Sequence, residues 1–190
     1  MPSSRGEPTL AIDGARIVDL FTRLGELLKN PTTLCLIGST PGIATGQGNR
    51  QTPDIDVWHA RSAYDAPDLA RACEEAGLLF DPKGDLDPEA MYIQVVRPGI
   101  VKLPREFELE IIGRYGNLTV VMPPPEIIAA AKLVRGSEVD FQDVAWWIGQ
   151  RGLDASDIEA AIDLFPNPRD REAAHENIVV VSLVADGHGR

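Results

Sequence analysis

The chain is poor in the residues that most often announce a chemistry. It holds two cysteines and three histidines among 190 residues. Cys35 and Cys73 stand in apolar or helical surroundings at no metal-ligand spacing, which predicts reduced thiols in or near the core. His175 and His188 have no partner at metal spacing, and His59 reads as a surface or structural residue. Aromatic residues make up only 6% of the chain, so Leu, Ile, Val and Ala must build most of the core. Positive charge is also scarce: 18 basic residues face 29 acidic ones, for a net charge of −11. That excludes broad, non-specific nucleic-acid binding, which needs clustered Lys and Arg, and leaves room only for a local basic groove. No apolar run reaches membrane-spanning length and no signal-peptide pattern is visible, so no membrane association and a cytoplasmic location are expected.

What is present suits a folded domain. Hydrophobic content is 44% and charged content 25%, and the length fits one domain or one domain with a small appendage. Residues 13–29 predict an amphipathic helix with Asp13 as its N-cap and Ile17, Leu20, Phe21, Leu24, Leu27 and Leu28 at helical spacing. A short buried strand follows at 33–37, then a Gly-rich connection over 38–51 and a second strand from Ile55 to His59. Residues 65–76 read as a helix stopped by Gly77. Strands are expected at 91–96, 107–112 and 118–122, the last two paired. Past three prolines, helices are expected at 126–134, 140–150, 156–165 and 169–176. A terminal apolar strand is expected at 178–184, docked in the sheet or at a dimer interface. The order is an α+β plan without internal repeats: a small mixed sheet with flanking helices over 1–122, then a mostly helical extension over 123–190 that ends in a strand, together one compact domain.

The pattern that carries chemistry is Gly38-Ser39 followed by Asp54-Ile55-Asp56. In a strand, residues two apart share a face, so Asp54 and Asp56 project together while Ile55 enters the core. Adjacent carboxylates repel, and a hard divalent cation relieves that repulsion. Gly38 and Ser39 offer close backbone approach and N–H groups suited to a phosphate. Phosphate cradle plus paired carboxylates is equipment for nucleotidyl or phosphoryl transfer. The bland alternatives are a solvated strand edge for the carboxylates and an ordinary strand exit for Gly38-Ser39.

This arrangement resembles the nucleotidyltransferase fold, whose signature is an apolar residue, Gly, Gly or Ser, a spacer, then Asp-apolar-Asp. A second stretch, residues 124–147, looks like a segment of nucleotidyltransferase-like proteins from bacterial toxin–antitoxin and abortive-infection systems. Its matching positions are Lys132, Leu133, Arg135, Asp140 and Asp143. Together the two stretches cover roughly residues 10–150. The resemblance implies a nucleoside triphosphate as ligand, Mg²⁺ or Mn²⁺ on Asp54 and Asp56, and Gly38, Ser39, Arg50 and Lys132 around its phosphates. It also implies Asp54 and Asp56 as catalytic residues and an RNA, protein or small-molecule acceptor.

Two departures stand out. The strand expected to supply a third carboxylate, 91–96, has Gln94 and no acid, which leaves Glu108 or Glu110 as substitutes. The spacer is long and carries Pro41, Gly42, Gly46 and Gly48, which disfavour a helix, although Ser39 could cap one short turn. Lys132 and Asp143 lie eleven residues apart, close to three helical turns, but Gly136-Ser137 interrupts that helix. Asp140 and Asp143 read first as caps of the following helix. Two functions stay open: a metal-dependent nucleotidyltransferase, or a catalytically degenerate member of the fold that binds a protein partner or a second copy of itself, antitoxin-like.

Overall fold

A computed structural model describes residues 12–87, 90–99, 101 and 103–187. Its elements run α1 (Gly14–Leu27), β1 (Thr32–Cys35), α2 (Thr40–Ala44), β2 (Asp54–Trp58), α3 (Ala66–Ala76), β3 (Leu79–Phe80), β4 (Tyr92–Val96), β5 (Glu110–Tyr115) and β6 (Leu118–Met122), then α4 (Pro125–Arg135), α5 (Glu138–Arg151), α6 (Ala155–Asp163) and α7 (Pro168–Gly187). The protein is α+β, with a mostly helical second half. No described helix is long and apolar enough to cross a membrane.

The strands form two three-stranded sheets, β1-β6-β5 and β2-β4-β3. β6 runs parallel to β1 and antiparallel to β5, while β4 runs parallel to both β2 and β3. One antiparallel bridge between Leu36 and Val57 joins the two sheets, and Ile37 N–H donates to the Asp56 carbonyl at 3.0 Å. That junction brings the exit of β1 beside the acidic strand.

Local chemistry explains the boundaries. Asp13 accepts from the Arg16 N–H and starts α1. Asp65 caps α3 through the Asp68 N–H, and Gly77 ends it in the left-handed conformation, where a Cβ would be strained. Ser137 and Asp140 form a reciprocal capping box on α5, so the expected capping role of Asp140 is borne out. The Gly-rich connection contains a helix after all, the five-residue α2, with Pro41 in its first turn; Ser39 occupies its N-cap without a capping bond from its side chain to the helix.

The core has two main parts. One lies between α1, α3 and the sheets, built on Phe21, Leu24, Leu34, Ile55, Leu69 and Ile93. The other seats α4, α6 and α7 against Cys35, Ile37, Trp58 and Val96, so the C-terminal helices cover the sheet residues that flank the acidic strand. At 25 cal/mol per Å² or so, this shared apolar burial is the dominant favourable term.

The end of the chain corrects the sequence reading. Residues 178–184 lie within α7 and form no strand. Ala174, Ile178 and Val181 recur at helical spacing and are buried, whereas Val179 and Val180 are exposed. Packing of that stripe against α4 and α6 overrides the β-preference of the Val run. Sequence reading also missed β3, a two-residue strand too short to show alternation.

Candidate functional site

The site grows from the junction of β1 and β2. Asp54 and Asp56 are both half-buried, while Ile55 between them is fully buried, so the alternation read from sequence holds. Asp56 N–H donates to Thr40 Oγ1 at 3.3 Å, tying β2 to α2. Asp54 meets the Thr52 hydroxyl in a short hydrogen bond.

Gly38 has φ +70°, and a Cβ placed there would collide with Asp56 Oδ2. This is one position where glycine is required twice over, by backbone conformation and by the carboxylate pressed against it. Burial first and the neighbouring Asp54 second push the Asp56 carboxyl up to about 7, against the opposing pull of Lys132 and Arg135. Tyr92, paired with Asp54 across the β2–β4 register, is also raised, first by burial and then by Asp54 and Asp56. The two carboxylates therefore act on one another, and Asp56 also lines an open space.

That space is a cavity of about 710 Å³. Gly38, Asp56, Gln94, Lys132, Arg135 and Asp170 supply its polar lining. Its apolar wall comes from Ile37, Val96, Val101, Leu103, α4 and Phe165. Neither Asp54, Ser39 nor Arg50 lines it.

The expected phosphate ligands are placed differently from one another. Lys132 reaches the cavity wall but is 5% exposed, and its Nζ donates to Asp143 Oδ2 at 2.6 Å. Arg50 Nη2 donates to Ser39 Oγ at 2.8 Å and to the same Asp143 Oδ2 at 3.2 Å. Arg50 Nε stands 2.9 Å from Asp143 Oδ1 yet out of hydrogen-bond alignment, so that approach counts as charge proximity only. Gln47 Nε2 completes the cluster with a bond to Asp143 Oδ1 at 2.8 Å. Asp143 is thus the hub of a buried network, not a helix cap. The turn at Gly136-Ser137 folds α5 back on α4, and this return lets Lys132 and Asp143 meet even though no single helix carries both.

Arg135 differs from the other cations. It holds Asp140 by Nε at 2.7 Å, while its side chain is 69% exposed. Burial alone would raise the Asp140 carboxyl, but the Arg135 and Ser137 hydrogen bonds outweigh it and hold the group below its ordinary range. Three cations, Arg50, Lys132 and Arg135, face two buried carboxylates, Asp140 and Asp143. Lys132 and Arg135 also act on Asp56, which lines the same cavity.

The third acid expected at Glu108 or Glu110 is not at the site. Glu110 Oε2 accepts from Arg151 Nη2 at 2.7 Å, on the sheet that does not carry Asp54 and Asp56. Glu108 is exposed and lines no part of the cavity. Among the described residues, no group of three His, Cys, Asp or Glu could hold a metal. In register with Asp56 on β4 stands Gln94, whose amide donates to Asp81 Oδ1 at 3.1 Å.

Asp81, at the end of β3, was not singled out from sequence. It has φ +43°, and it also accepts from Val95 N–H at 3.2 Å and Arg97 at 2.9 Å. Those bonds, with Lys83, overcome burial and keep its carboxyl low. Its rare backbone conformation is the trace it leaves, and that is invisible in a non-glycine sequence.

Comparisons of this chain with family models, with curated proteins and with solved structures return no match in any of the three.

Proposed function

We propose that the protein is a nucleotidyltransferase-type enzyme that binds a nucleoside triphosphate in the 710 Å³ cavity, within a toxin–antitoxin-type setting. The observation that carries this reading is Asp56, held half-buried against Gly38 with a like-charged Asp54 on the same face. A protein spends stability to keep such a pair ionised, and hard-cation binding is the chemistry that recovers it. Oxygen donors of this kind fit Mg²⁺ or Mn²⁺, and Asp54 and Asp56 would hold it, two ligands from protein and the remainder from phosphate and water. When bound, the cation supplies charge neutralisation and polarisation of a phosphoryl oxygen.

The chain's own residues do the rest. Gly38 lets the phosphate chain approach the backbone. Arg135, exposed at the cavity while paired with Asp140, attracts the phosphates. Lys132 and Arg50 act by holding Asp143 and hence the 47–50 segment. In the reaction an acceptor hydroxyl oxygen bonds to the α-phosphorus, the bond to pyrophosphate breaks, and the hydroxyl proton passes to solvent.

A second reading is supported by Gln94 standing where a third acid would complete the site. On that reading the fold is retained without catalysis, and the protein binds a protein partner. Thermal unfolding with each nucleoside triphosphate, with and without Mg²⁺ or Mn²⁺, separates the two. Saturation at about 100 times Kd adds roughly 2.7 kcal/mol, on the order of 5–10 °C for this size. A metal-dependent rise that is lost in Asp54→Asn/Asp56→Asn supports the enzyme; no rise with any nucleotide refutes it and leaves the partner-binding module.

A further inference from the structure

A second cavity of about 320 Å³ adjoins the first, sharing Gly99, Val101 and Leu103 in its wall. It lies at the far end of β2. Trp58 follows Asp56 on the same strand face, about 7 Å onward at two residues of rise, and the chain then turns through a single 3₁₀ turn at His59–Arg61. Trp58, Ala60, Pro98, Pro104 and Pro166 give the cavity an apolar floor. Among the described residues its charged lining is Arg61 and Arg105, with no acid.

In a chain of net charge −11, two arginines without a carboxylate are unusual neighbours. Among the described residues, no ion pair is formed by either. Arg61 is instead steadied by the Phe107 ring, its guanidinium carbon 4.9 Å from the ring centroid. Stacking on a ring face leaves the guanidinium edge free to donate, and that planar fork matches phosphate and carboxylate oxygens. Arg105, which also lines the cavity, is exposed. Glu106 and Glu108, the nearest acids in sequence, line neither cavity.

We infer that this second cavity is an anion-binding subsite for a small acceptor, a molecule with an apolar body and one phosphate or carboxylate group. The anion sits between Arg61 and Arg105, the body lies on Trp58, and the molecule points along the shared wall toward Asp56. The word acceptor rests on the transferase reading above; the binding itself does not. The small volume, the two cations and the acidic chain favour a small molecule over a nucleic-acid strand, which would demand a row of phosphate contacts.

Calorimetric titration with phenyl phosphate, benzoate, inorganic phosphate and phenol tests this. Phenyl phosphate or benzoate binds, inorganic phosphate binds more weakly and phenol does not; whichever of the first two is tighter identifies the anion. Arg61→Gln and Arg105→Gln each weaken binding about tenfold or more, the scale of a lost charged hydrogen bond. Arg61→Lys falls between, because it keeps charge and loses the fork. Exposed Arg105 provides the variant that keeps its fold. Asp54→Asn/Asp56→Asn leaves these affinities unchanged, so a failed transferase and a failed subsite give different patterns. No binding by either aryl anion, or binding indifferent to both arginines, overturns the inference. Arginine-dependent binding of a single-stranded oligonucleotide with a steep salt dependence overturns its small-molecule part.

Discussion

Replacing Asp56 by asparagine in metal-free protein is expected to stabilise the fold at alkaline pH. Asn has nearly the same shape and no charge, so the substitution isolates the cost of the carboxylate. Burial, with Asp54 beside it, moves this group from 3.8 to about 7. Folding thus favours the protonated form. Its stabilising contribution is complete below the unfolded value of about 4, declines as pH rises through the folded value, and gives way to a full penalty above about 7. A rise of about three pH units at roughly 1.4 kcal/mol each sets a ceiling near 4 kcal/mol. Water reaching the half-buried side chain reduces that to about 2–4 kcal/mol, on the order of 5–10 °C in Tm for a chain this size. Urea unfolding in EDTA at about pH 5 and about pH 8 reads it directly. The gap between wild type and Asp56→Asn should be only part-open near pH 5, where the unfolded carboxyl is ionised and the folded one still protonated, and widest near pH 8 with the variant more stable. Asp54→Asn should narrow the wild-type pH dependence, because Asp54 contributes to the shift. Adding Mg²⁺ at about pH 8 should raise wild type and leave Asp56→Asn where it was. A variant that is neutral or destabilised near pH 8, or a gap independent of pH, refutes the claim that Asp56 is held in strain for a cation.

Asp143→Ala strands Lys132, 5% exposed, and should cost about 3–5 kcal/mol by urea unfolding; Asp143→Asn, which keeps an acceptor, should cost less. Gly38→Ala meets both the positive φ and the Asp56 carboxylate, and should destabilise by about 1–3 kcal/mol, with most of that cost relieved in the Gly38→Ala/Asp56→Ala double variant. Burial pushes the thiols of Cys35 and Cys73 up to about 12, so both should resist thiol reagents at neutral pH until denaturant is added.

The sequence carried most of the local structure because its punctuation is local. Asp13, Asp65 and Gly77 terminate helices through bonds within a few residues, and Asp54-Ile55-Asp56 alternates as any half-buried strand does. Long-range pairing is where legibility ended. Asp143 finds Arg50 and Gln47 93 and 96 residues away in sequence, and nothing in its helix announces that. Lys132 and Arg50 matched the resemblance as phosphate ligands, yet each is bound by a carboxylate that sequence reading assigned to capping. The Val run of α7 carried a strand's composition, and its helical stripe becomes meaningful only when α4 and α6 are there to receive it. Glu110 shared an expected strand face with Glu108, but β5 begins only at Glu110 and belongs to the other sheet, so Glu108 lies before the strand.

These long-range contacts also explain why the second half of the chain belongs to the site. Asp143 and Lys132 come from α5 and α4, and they reach Gln47 and Arg50 in the connection that starts at Gly38. The connection is rich in glycine and holds only five helical residues, so it has little order of its own to offer a ligand. Its order is lent by a buried ion network, in which desolvation makes each partner dependent on the other. Lys132 and Arg50 are consequently supports for the Gly38 approach more than free ligands, and the cation exposed at the cavity is Arg135, itself paired with Asp140. Asp54 and Asp56 stand opposite in kind: like charges, side by side, with no cation bonded to either among the described residues. A fold that bonds cations to its neighbouring buried acids and bonds none to this pair has placed its electrostatic strain at one point, and Asp56 of that pair faces the cavity.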